Sequence, residues 1–184
     1  MIKEFIKHSI GFYRAMINGI VTRHEIYIGR DVNISGGRNI KLGSQVVIRP
    51  HSDIWCNSGM IVIDDGSEIG ERDRISIANK LYIGKKVLIS PNVYITDCDH
   101  EYRNIEIATI DQGIVTNNNE VSIGEGTYIG INSVIVGNVN IGKHSVVGAN
   151  SVVTKDVEDY TIVAGVPAIP IRKYNHQSKQ WERV

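Results

Sequence analysis

Aliphatic side chains return at every sixth position between residues 121 and 157. They occupy positions 123, 129, 135, 141, 147 and 153, and a small or β-branched residue follows each one four places later. An α-helix has 3.6 residues per turn and cannot hold a period of six on one face. The period instead predicts a coil of short flat strands and tight corners, in which the aliphatic residue fills the interior and a following Gly lets the backbone turn.

The same period extends towards the N-terminus in shorter registers. An aliphatic series at 28, 34 and 40 is followed by series that start at Leu42, Ile63 and Ile83. Each change of series predicts an extended corner, as at Gly36-Gly37. At about 18 residues per three-sided coil, the repeats predict roughly six to seven coils. Stacked about 4.8 Å apart, these coils would form a prism roughly 30 Å tall.

The first 24 residues precede the repeats and predict an amphipathic helix, because apolar residues recur at helical spacing. We expect this helix to cover the first coil, since the end of a solenoid exposes its interior and its strand edges. Binding to a membrane surface is the alternative, but three basic residues are few for that role. The apolar positions are Ile2, Phe5, Ile6, Ile10, Tyr13, Met16, Ile17 and Ile20.

The period is absent from residues 97–120, which are predicted to form a loop that leaves the coil. Long loops without periodicity often carry function. Beyond the prism, Pro167 and Pro170 are expected to prevent further strand pairing, and residues 174–184 can form a short polar helix. The predicted organisation is therefore a helix at 1–24, a β-helix at 25–168 and a C-terminal tail at 169–184.

Charge and cysteine content exclude several classes of protein. Twenty basic and 20 acidic residues among 184 give a net charge of zero, so no basic excess indicates nucleic-acid binding. Cys56 and Cys98 are the only cysteines, which argues against a disulfide framework and fits a cytoplasmic protein. Lys3, Glu4 and Lys7 interrupt the N-terminus, and neither a signal peptide nor a membrane-spanning segment is predicted.

The predicted loop begins with titratable residues, Asp97-Cys-Asp-His-Glu-Tyr. His100 is the first catalytic candidate, because an imidazole titrates near neutral pH and suits proton transfer. A carboxylate would fix its tautomer, and Asp97 is preferred for its place at the mouth of the loop, with Asp99 left open. The alternative is that Cys98 acts as a nucleophile, with His100 within hydrogen-bond reach. A metal site is not predicted, because the histidines are scattered and catalytic zinc needs three close protein ligands.

The repeats, the loop and the Ala-Gly-Val-Pro-Ala ending at 164–168 together resemble the hexapeptide-repeat acyltransferases. The resemblance covers about residues 28–173, and the Asp-x-Asp-His-x-Tyr stretch is most similar to the maltose, galactoside and surface-polysaccharide O-acetyltransferases. It implies an all-β fold, a left-handed parallel β-helix with a catalytic His in the loop. It also implies acetyl-coenzyme A as the acyl donor and a homotrimer, in which two prisms side by side form a long groove.

The resemblance further implies which residues contact coenzyme A. The run Thr127-Tyr-Ile-Gly-Ile is similar to a Val-Trp-Ile-Gly stretch of the family, and Val147-Gly-Ala-Asn-Ser-Val-Val-Thr-Lys-Asp is similar to its partner run. A backbone N–H near Gly130 or Ile131 is the expected donor to the reaction's oxyanion. The family's second basic position falls on Ala168-Ile169 here, which leaves fewer charges for phosphate. The implied contacts are Tyr128, Gly130, Ile131 and Ala149 beside the pantetheine arm, Thr154 and Lys155 at the adenosine phosphates, and Arg172 at the 3′-phosphate.

Three functions remain open at this point. The first is an acetyl-coenzyme A-dependent O-acetyltransferase that acts directly on a sugar hydroxyl of a cell-surface polysaccharide or its precursor, with His100 as general base. The second is an N-acetyltransferase of a nucleotide-linked amino sugar, although residues 1–25 are too few for the extra nucleotide-binding domain that such relatives often carry. The third is a non-catalytic β-helix scaffold, which the loop and the cofactor run argue against.

Overall fold

Three parallel sheets wound around one apolar interior make up the body of the protein. The computed structural model describes residues 2–22, 25–115 and 117–184. In each coil the chain passes from face A to face B and then to face C, and within the described residues face B has seven successive parallel strands, one per coil. We call the corners between faces edge AB, edge BC and edge CA, in chain order. The predicted fold class, an all-β parallel β-helix with an N-terminal helix, is confirmed.

The strands are short, as the hexapeptide period requires. Face A contains β1 (Val21–Thr22), β4 (Ile40–Leu42), β7 (Met60–Ile63), β10 (Lys80–Ile83), β15 (Glu120–Ile123) and β18 (Val139–Ile141). Face B contains β2 (Tyr27–Ile28), β5 (Val47–Ile48), β8 (Glu68–Ile69), β11 (Leu88–Ile89), β16 (Tyr128–Ile129), β19 (Val146–Val147) and β21 (Thr161–Gly165). Face C contains β3 (Asn33–Ser35), β6 (Asp53–Trp55), β9 (Arg74–Ser76), β12 (Tyr94–Thr96), β17 (Val134–Val136) and β20 (Val152–Val153).

The interior is built from the predicted aliphatic positions. All six of those in the regular repeats are at most 1% exposed, and the residues four places later are buried as well. Where this residue is Ser or Thr, its hydroxyl can bond to the next coil. Thr127 Oγ1 donates to the Gly142 carbonyl at 2.9 Å, and Ser133 Oγ donates to the Gly148 carbonyl at 3.0 Å. The small residue is therefore needed for a buried hydrogen bond as well as for space.

The N-terminal helix α1 (Ile2–Ile17) packs on the first coil, as predicted. Its contact surface contains small residues. Ala15 is fully buried, and a Cβ added at Gly11 would lie 2.5 Å from the Ile26 carbonyl oxygen. Arg14 reaches past the helix and donates to the Ile28 carbonyl at 2.7 Å. The helix thus covers the open edge of the first face B strand.

The face of α1 that contacts the coil differs from the prediction. Four of the predicted apolar positions, Ile10, Tyr13, Met16 and Ile17, are between 44% and 62% exposed, whereas Ile20, beyond the helix, is buried. Close approach of a helix to a sheet edge requires small residues, so Gly11 and Ala15 take the interface and the larger side chains turn outward. The side chains of Ile2, Phe5 and Ile6 lie outside the described residues.

The C-terminal tail extends face B as a hairpin of β22 (Ala168–Asn175) and β23 (Gln180–Arg183), both antiparallel. Two expectations are therefore wrong: the prolines do not stop pairing, and residues 174–184 form no helix. Pro170 lies opposite Val163 beside a shift of register, and β23 pairs only with residues 172–175. On the side of β23, the missing N–H of Pro170 is thus not required.

The predicted loop leaves edge CA between β12 and β15. It contains a small antiparallel ladder of β13 (Asp99–His100) and β14 (Ile114–Val115), with the short helix α2 (Thr109–Gln112) between them. Across the parts of the chain that the structure describes, no helix is long and apolar enough to span a bilayer.

Candidate active site

His100 lies on the first strand of the loop ladder, opposite Ile114. Its exposed side chain lines two cavities. The larger, of about 490 Å³, follows the outer surface of face C across β3, β6, β9 and β12. The smaller, of about 300 Å³, continues along edge CA to Val136 and Gly137. An imidazole at the junction of two cavities can contact a separate molecule in each.

The Asp97 carboxylate, which the sequence favours as the partner of this imidazole, bonds to the backbone of the preceding coil in this structure. The carboxylate is fully buried and accepts three backbone N–H bonds, from Ala78 at 2.8 Å, Asn79 at 2.7 Å and Lys80 at 2.8 Å. These donors belong to the same corner of the preceding coil. Asp97 therefore fixes edge CA where the loop leaves it, because a buried carboxylate that accepts several N–H bonds has few acceptor positions left.

The other two neighbouring carboxylates differ in how much of their bonding capacity is used. Glu101 forms an ion pair with Arg103, and the hydrogen bond from that guanidinium lowers the pKa of Glu101 to about 2. Among the described residues, Asp99 accepts a hydrogen bond from the N–H of His100 alone, at 2.7 Å, and it lines both cavities together with His100. Asp99, the assignment left open by the sequence, is thus the carboxylate available beside the imidazole.

The Cys98 thiol lies between both cavities and the prism wall. Its Sγ is 3.5 Å from Thr96 Oγ1 and 3.9 Å from the Ser76 carbonyl oxygen. Burial raises the pKa of the Cys98 thiol above its ordinary value. Because the thiolate is the nucleophilic form, this environment disfavours Cys98 as a nucleophile near neutral pH.

Two of the residues expected at coenzyme A, Tyr128 and Arg172, lie in one outward row on face B. In the strand register, Tyr128 lies beside Val146, Val146 beside Ile162, and Ile162 beside Arg172. Three strand spacings separate the ends of this row, or about 14 Å. The Tyr128 hydroxyl is 2.9 Å from Ser90 Oγ, and the Arg172 side chain is exposed.

Gly130, Ile131 and Ala149 form a flat strip on edge BC, next to that row. A Cβ on Gly130 would lie 2.6 Å from the Ala149 nitrogen, so the two coils approach closely only because position 130 is Gly. The Gly130 N–H donates to the Val147 carbonyl at 2.8 Å. Of the two expected donors to an oxyanion, Gly130 is therefore engaged in the ladder, which leaves the N–H of Ile131.

Thr154 and Lys155 follow β20 and are exposed on edge CA, the edge from which the loop leaves. In a three-sided prism this edge lies opposite face B. The structure therefore brings the expected residues into two groups rather than one. The first group is His100, Thr154 and Lys155 on edge CA, and the second is Tyr128, Gly130, Ile131, Ala149 and Arg172 on face B and edge BC.

The remaining histidines are dispersed. His51 and His144 occupy corners with positive φ, 64° and 51°. His144 stacks on Tyr160 with ring centroids 5.6 Å apart, and His24 lies outside the described residues. Within the described ranges, no three His, Cys, Asp or Glu side chains cluster at distances suited to a metal ion.

Sequence reasoning missed the polar surface of face C. Each of its main side chains is next to a buried isoleucine in the sequence. Because successive side chains of a strand point to opposite faces, the outward direction of Asp53, Trp55 and Arg74 was predictable. What the period did not reveal is that the loop hairpin lies beside this face and so makes it part of the cavity at His100.

Comparisons with known proteins identify the family and the fold. Residues 120–155 match the model of the family described as bacterial transferase hexapeptide (six repeats). WbbJ of Escherichia coli strain K12, which is named as an O-acetyl transferase of lipopolysaccharide biosynthesis, is 32% identical, and the alignment covers 94% of this chain and 86% of WbbJ.

Two solved structures share the fold. A variant of AntD, an N-acyltransferase from Bacillus cereus in complex with dTDP and coenzyme A, superposes with a TM-score of 0.70 at 21% identity and 90% coverage of both chains. The acetyltransferase VCA0836 of Vibrio cholerae, in complex with acetyl-coenzyme A, gives a TM-score of 0.62 at 22% identity, over 89% of this chain and 78% of that one.

Proposed function

This chain belongs to the hexapeptide-repeat family of bacterial transferases and is an acyltransferase, and we propose that it transfers an acetyl group from acetyl-coenzyme A to a hydroxyl group of a sugar. The preference for a hydroxyl over an amine is supported by the 32% identical relative, whose name describes an O-acetyl transferase of lipopolysaccharide biosynthesis. The acceptor would accordingly be a cell-surface polysaccharide or its precursor. We place the reaction in the cytosol, where Cys56 and Cys98 would remain the free thiols that they are here.

The observation that carries this proposal is the position of His100 between two cavities. The cavity on face C is lined by hydroxyl, amide, carboxylate, guanidinium and aromatic groups, which suit a sugar. The cavity along edge CA runs towards the coil that bears Thr154 and Lys155, and it would receive the thioester end of the donor. Of the three described residues that line both cavities, Cys98, Asp99 and His100, it is His100 that suits proton transfer from an acceptor hydroxyl.

In the proposed reaction, the neutral imidazole of His100 takes the proton from the acceptor hydroxyl as that oxygen attacks the thioester carbonyl. The carbonyl oxygen becomes an oxyanion, for which the Ile131 N–H is the proposed donor. Collapse of the intermediate breaks the carbon–sulfur bond, and the proton on His100 passes to the departing thiolate of coenzyme A. Asp99 would hold the imidazole in the productive tautomer. No acyl-enzyme forms, so Cys98 has no role.

The separation of the expected coenzyme A contacts supports a homotrimer. Lys155 on edge CA and Arg172 on face B cannot line one slot of a single prism, but they can face each other across two adjacent prisms. In a closed cyclic trimer every edge CA meets the same surface of a neighbour, so three equivalent grooves form. We therefore propose that each groove takes His100, Thr154 and Lys155 from one chain and the face B and edge BC residues from the next.

The test is a comparison of His100→Ala with Cys98→Ala, using acetyl-coenzyme A and a panel of sugars, amino sugars and their nucleotide-linked forms. We expect His100→Ala to lower kcat by about 10²–10⁴, the usual contribution of a lost acid–base group, with little change in coenzyme A affinity. Cys98→Ala should change kcat little. Acetylation of Cys98 by acetyl-coenzyme A alone would contradict direct transfer, and exclusive acetylation of amino groups would favour the N-acetyltransferase.

A further inference from the structure

We propose that Trp55 holds a second sugar unit of the acceptor, so that the protein acts on an uncharged oligosaccharide or polysaccharide segment rather than on a single sugar or a nucleotide-linked one. This inference rests on the function proposed above. It places the second sugar unit at the end of the face C cavity that is away from His100.

Trp55 has small neighbours on both sides in the sheet, and it lines the cavity. In the strand register it lies between Ser35 and Ser76, and its side chain is half-buried. Its flat ring therefore adds apolar surface to a cavity lined mainly by polar side chains. A pyranose ring has the matching shape, with an apolar C–H face and hydroxyls around its edge, so stacking buries apolar area on both partners.

The position of Trp55 relative to the reacting centre indicates more than one sugar unit. Trp55 is in register with Ser76, and Ser76 with Thr96 at the foot of the loop. These two strand spacings amount to roughly 10 Å, which is longer than one pyranose ring. Because this span to the foot of the loop exceeds one pyranose ring, we assign the ring stacked on Trp55 to the unit next to the one whose hydroxyl contacts His100.

The charges in the cavity favour an uncharged acceptor over a nucleotide-linked one. Two carboxylates, Asp53 and Asp99, and one guanidinium, Arg74, line it, and Arg74 is beside Asp53 in the strand register. The Asn33 amide donates to Asp53 at 3.3 Å. With a neutral imidazole the lining carries one net negative charge, which would repel a diphosphate. Carboxylate, amide and hydroxyl groups instead bind sugar hydroxyls through hydrogen bonds.

Binding can be tested without turnover, because the chain has two tryptophans, at positions 55 and 181. Trp181 packs on Tyr174 in the C-terminal hairpin, outside the cavity. In Trp181→Phe, all tryptophan emission therefore comes from Trp55. We expect uncharged methyl glycosides of disaccharides to protect this emission from iodide quenching, and the matching methyl monosaccharides to protect it much less. Protection by dTDP-linked sugars at lower concentration than by disaccharides would overturn the proposal.

Turnover provides the second measurement. Trp55→Ala should lower kcat/KM for the best disaccharide glycoside about tenfold and leave kcat/KM for the monosaccharide within about twofold, because binding energy from a remote unit is lost. Trp55→Phe should recover most of the loss. Equal losses on both acceptors, or none on either, would refute the subsite. If wild-type protein transfers acetyl groups to no sugar at all, the proposed function fails instead.

A second inference comes from an independent observation on face B: we infer that Arg183 joins Arg172 in binding the 3′-phosphate of coenzyme A. The two residues lie directly opposite each other in the terminal hairpin. Like charges in this arrangement destabilise a strand pair, and among the described residues neither guanidinium has a carboxylate within ion-pair distance. A phosphate bound between them would remove the repulsion and form charge-assisted bonds to both.

The row on face B supports this position for the phosphate. Arg183 follows Tyr128, Val146, Ile162 and Arg172 in the same outward register. Its cation can replace the basic residue that the sequence lacks at Ala168-Ile169.

Titration with coenzyme A and with 3′-dephospho-coenzyme A tests the pair. Arg183→Gln should raise the Kd of coenzyme A about tenfold and change the Kd of 3′-dephospho-coenzyme A by no more than about twofold. Lys173→Gln is the matched control: it removes the same charge from the same hairpin, but Lys173 pairs with Glu158. An equal effect of Arg183→Gln on both ligands, or no effect, would exclude the contact. Failure of wild-type protein to bind either ligand would instead contradict the proposed function.

Discussion

Asp97 and Asp99 are two positions apart, yet their surroundings differ. Asp97 is buried at the corner of the preceding coil, where three N–H groups converge on it. Asp99 is exposed on the loop ladder beside His100. The residue types alone do not distinguish them, because a carboxylate serves equally well as a backbone acceptor and as a partner of imidazole.

Separate substitutions of these aspartates should divide stability from catalysis. Asp97→Asn places an NH₂ group among N–H donors, and we expect the unfolding temperature to fall by roughly 4–10 °C. The folded fraction should retain most of its kcat. Asp99→Asn should leave the unfolding temperature unchanged and lower kcat by about tenfold or more, because the tautomer of His100 is no longer fixed. The reverse pattern, in calorimetry and steady-state kinetics, would restore Asp97 to the catalytic site.

Asp73 gives the prism a pH dependence of its own. It is 2% exposed, accepts N–H bonds from Gly70 at 2.6 Å and Val93 at 2.8 Å, and takes the corner position that Ser52 has in the preceding coil. Burial raises the pKa of Asp73 to about 7, whereas an unfolded aspartate titrates near 3.9. Between these values the folded state binds one more proton than the unfolded state, so this group lowers stability as pH rises.

Asp73→Ser should therefore reduce the pH dependence of stability between about pH 4 and pH 7. The serine hydroxyl can donate to the next coil, as Ser52 Oγ does to the Gly70 carbonyl at 2.8 Å. Over this range, the free energy of unfolding of the wild type should fall by up to about 4 kcal/mol relative to that of Asp73→Ser, at about 1.36 kcal/mol per pKa unit. Thermal unfolding of both proteins at several pH values measures the difference. Parallel curves would show that Asp73 does not titrate in this range.

At the scale of the elements, local periodicity predicted the body of the protein well. In the six-residue repeats, the aliphatic residue is buried wherever it recurs. The three faces and the exit of the loop at residue 97 therefore follow from the sequence. The partners of Asp97 could not be found in this way, because they lie 17 to 19 residues earlier and meet it only after the coils stack. The prediction that Pro170 prevents strand pairing failed for a related reason. Whether its missing N–H matters depends on which strand pairs with it.

Helix α1 shows the limit of the apolar pattern most clearly. The pattern correctly indicates a helix but not its rotation, because the larger apolar residues are not the ones that fit against the first coil. Gly11 fits, since its backbone touches the backbone of residues 26–28. The apolar moment of a helix reports on burial only where the partner surface can accept large side chains.

Gly11→Ala tests this rotation. In an ordinary exposed helix position the change from Gly to Ala stabilises by about 1 kcal/mol. Here the added methyl group would meet the Ile26 carbonyl, so we expect a loss of about 1–3 kcal/mol from overpacking. Met16→Ala, at a position that is 59% exposed, is the control and should change stability by less than about 0.5 kcal/mol. Stabilisation by Gly11→Ala in thermal unfolding would mean that the helix contacts the coil through another face.

At the scale of the whole molecule, the division of the expected site into two groups is the main result that sequence could not provide. The hexapeptides place Tyr128, Ala149 and Lys155 within 28 residues of one another, which suggests a single surface. Winding of the coil sends Tyr128 to face B, Ala149 to edge BC and Lys155 to edge CA. A site assembled from these residues requires two prisms, and this requirement leads to a test that does not depend on measuring the oligomer directly.

Co-expression of two inactive variants should restore activity only when their defects lie on different sides of the groove. His100→Ala removes the base on edge CA, and Arg172→Glu repels phosphate on face B. In mixed trimers, roughly a quarter of the grooves should combine an intact edge from one chain with an intact face from the other, by random assortment in a cyclic trimer. Activity at limiting acetyl-coenzyme A should recover accordingly. The matched control pairs His100→Ala with Lys155→Glu. Both changes lie on edge CA, so every groove keeps one defect and activity should not return. Recovery in both mixtures, or in neither, would rule out a site shared between neighbouring chains.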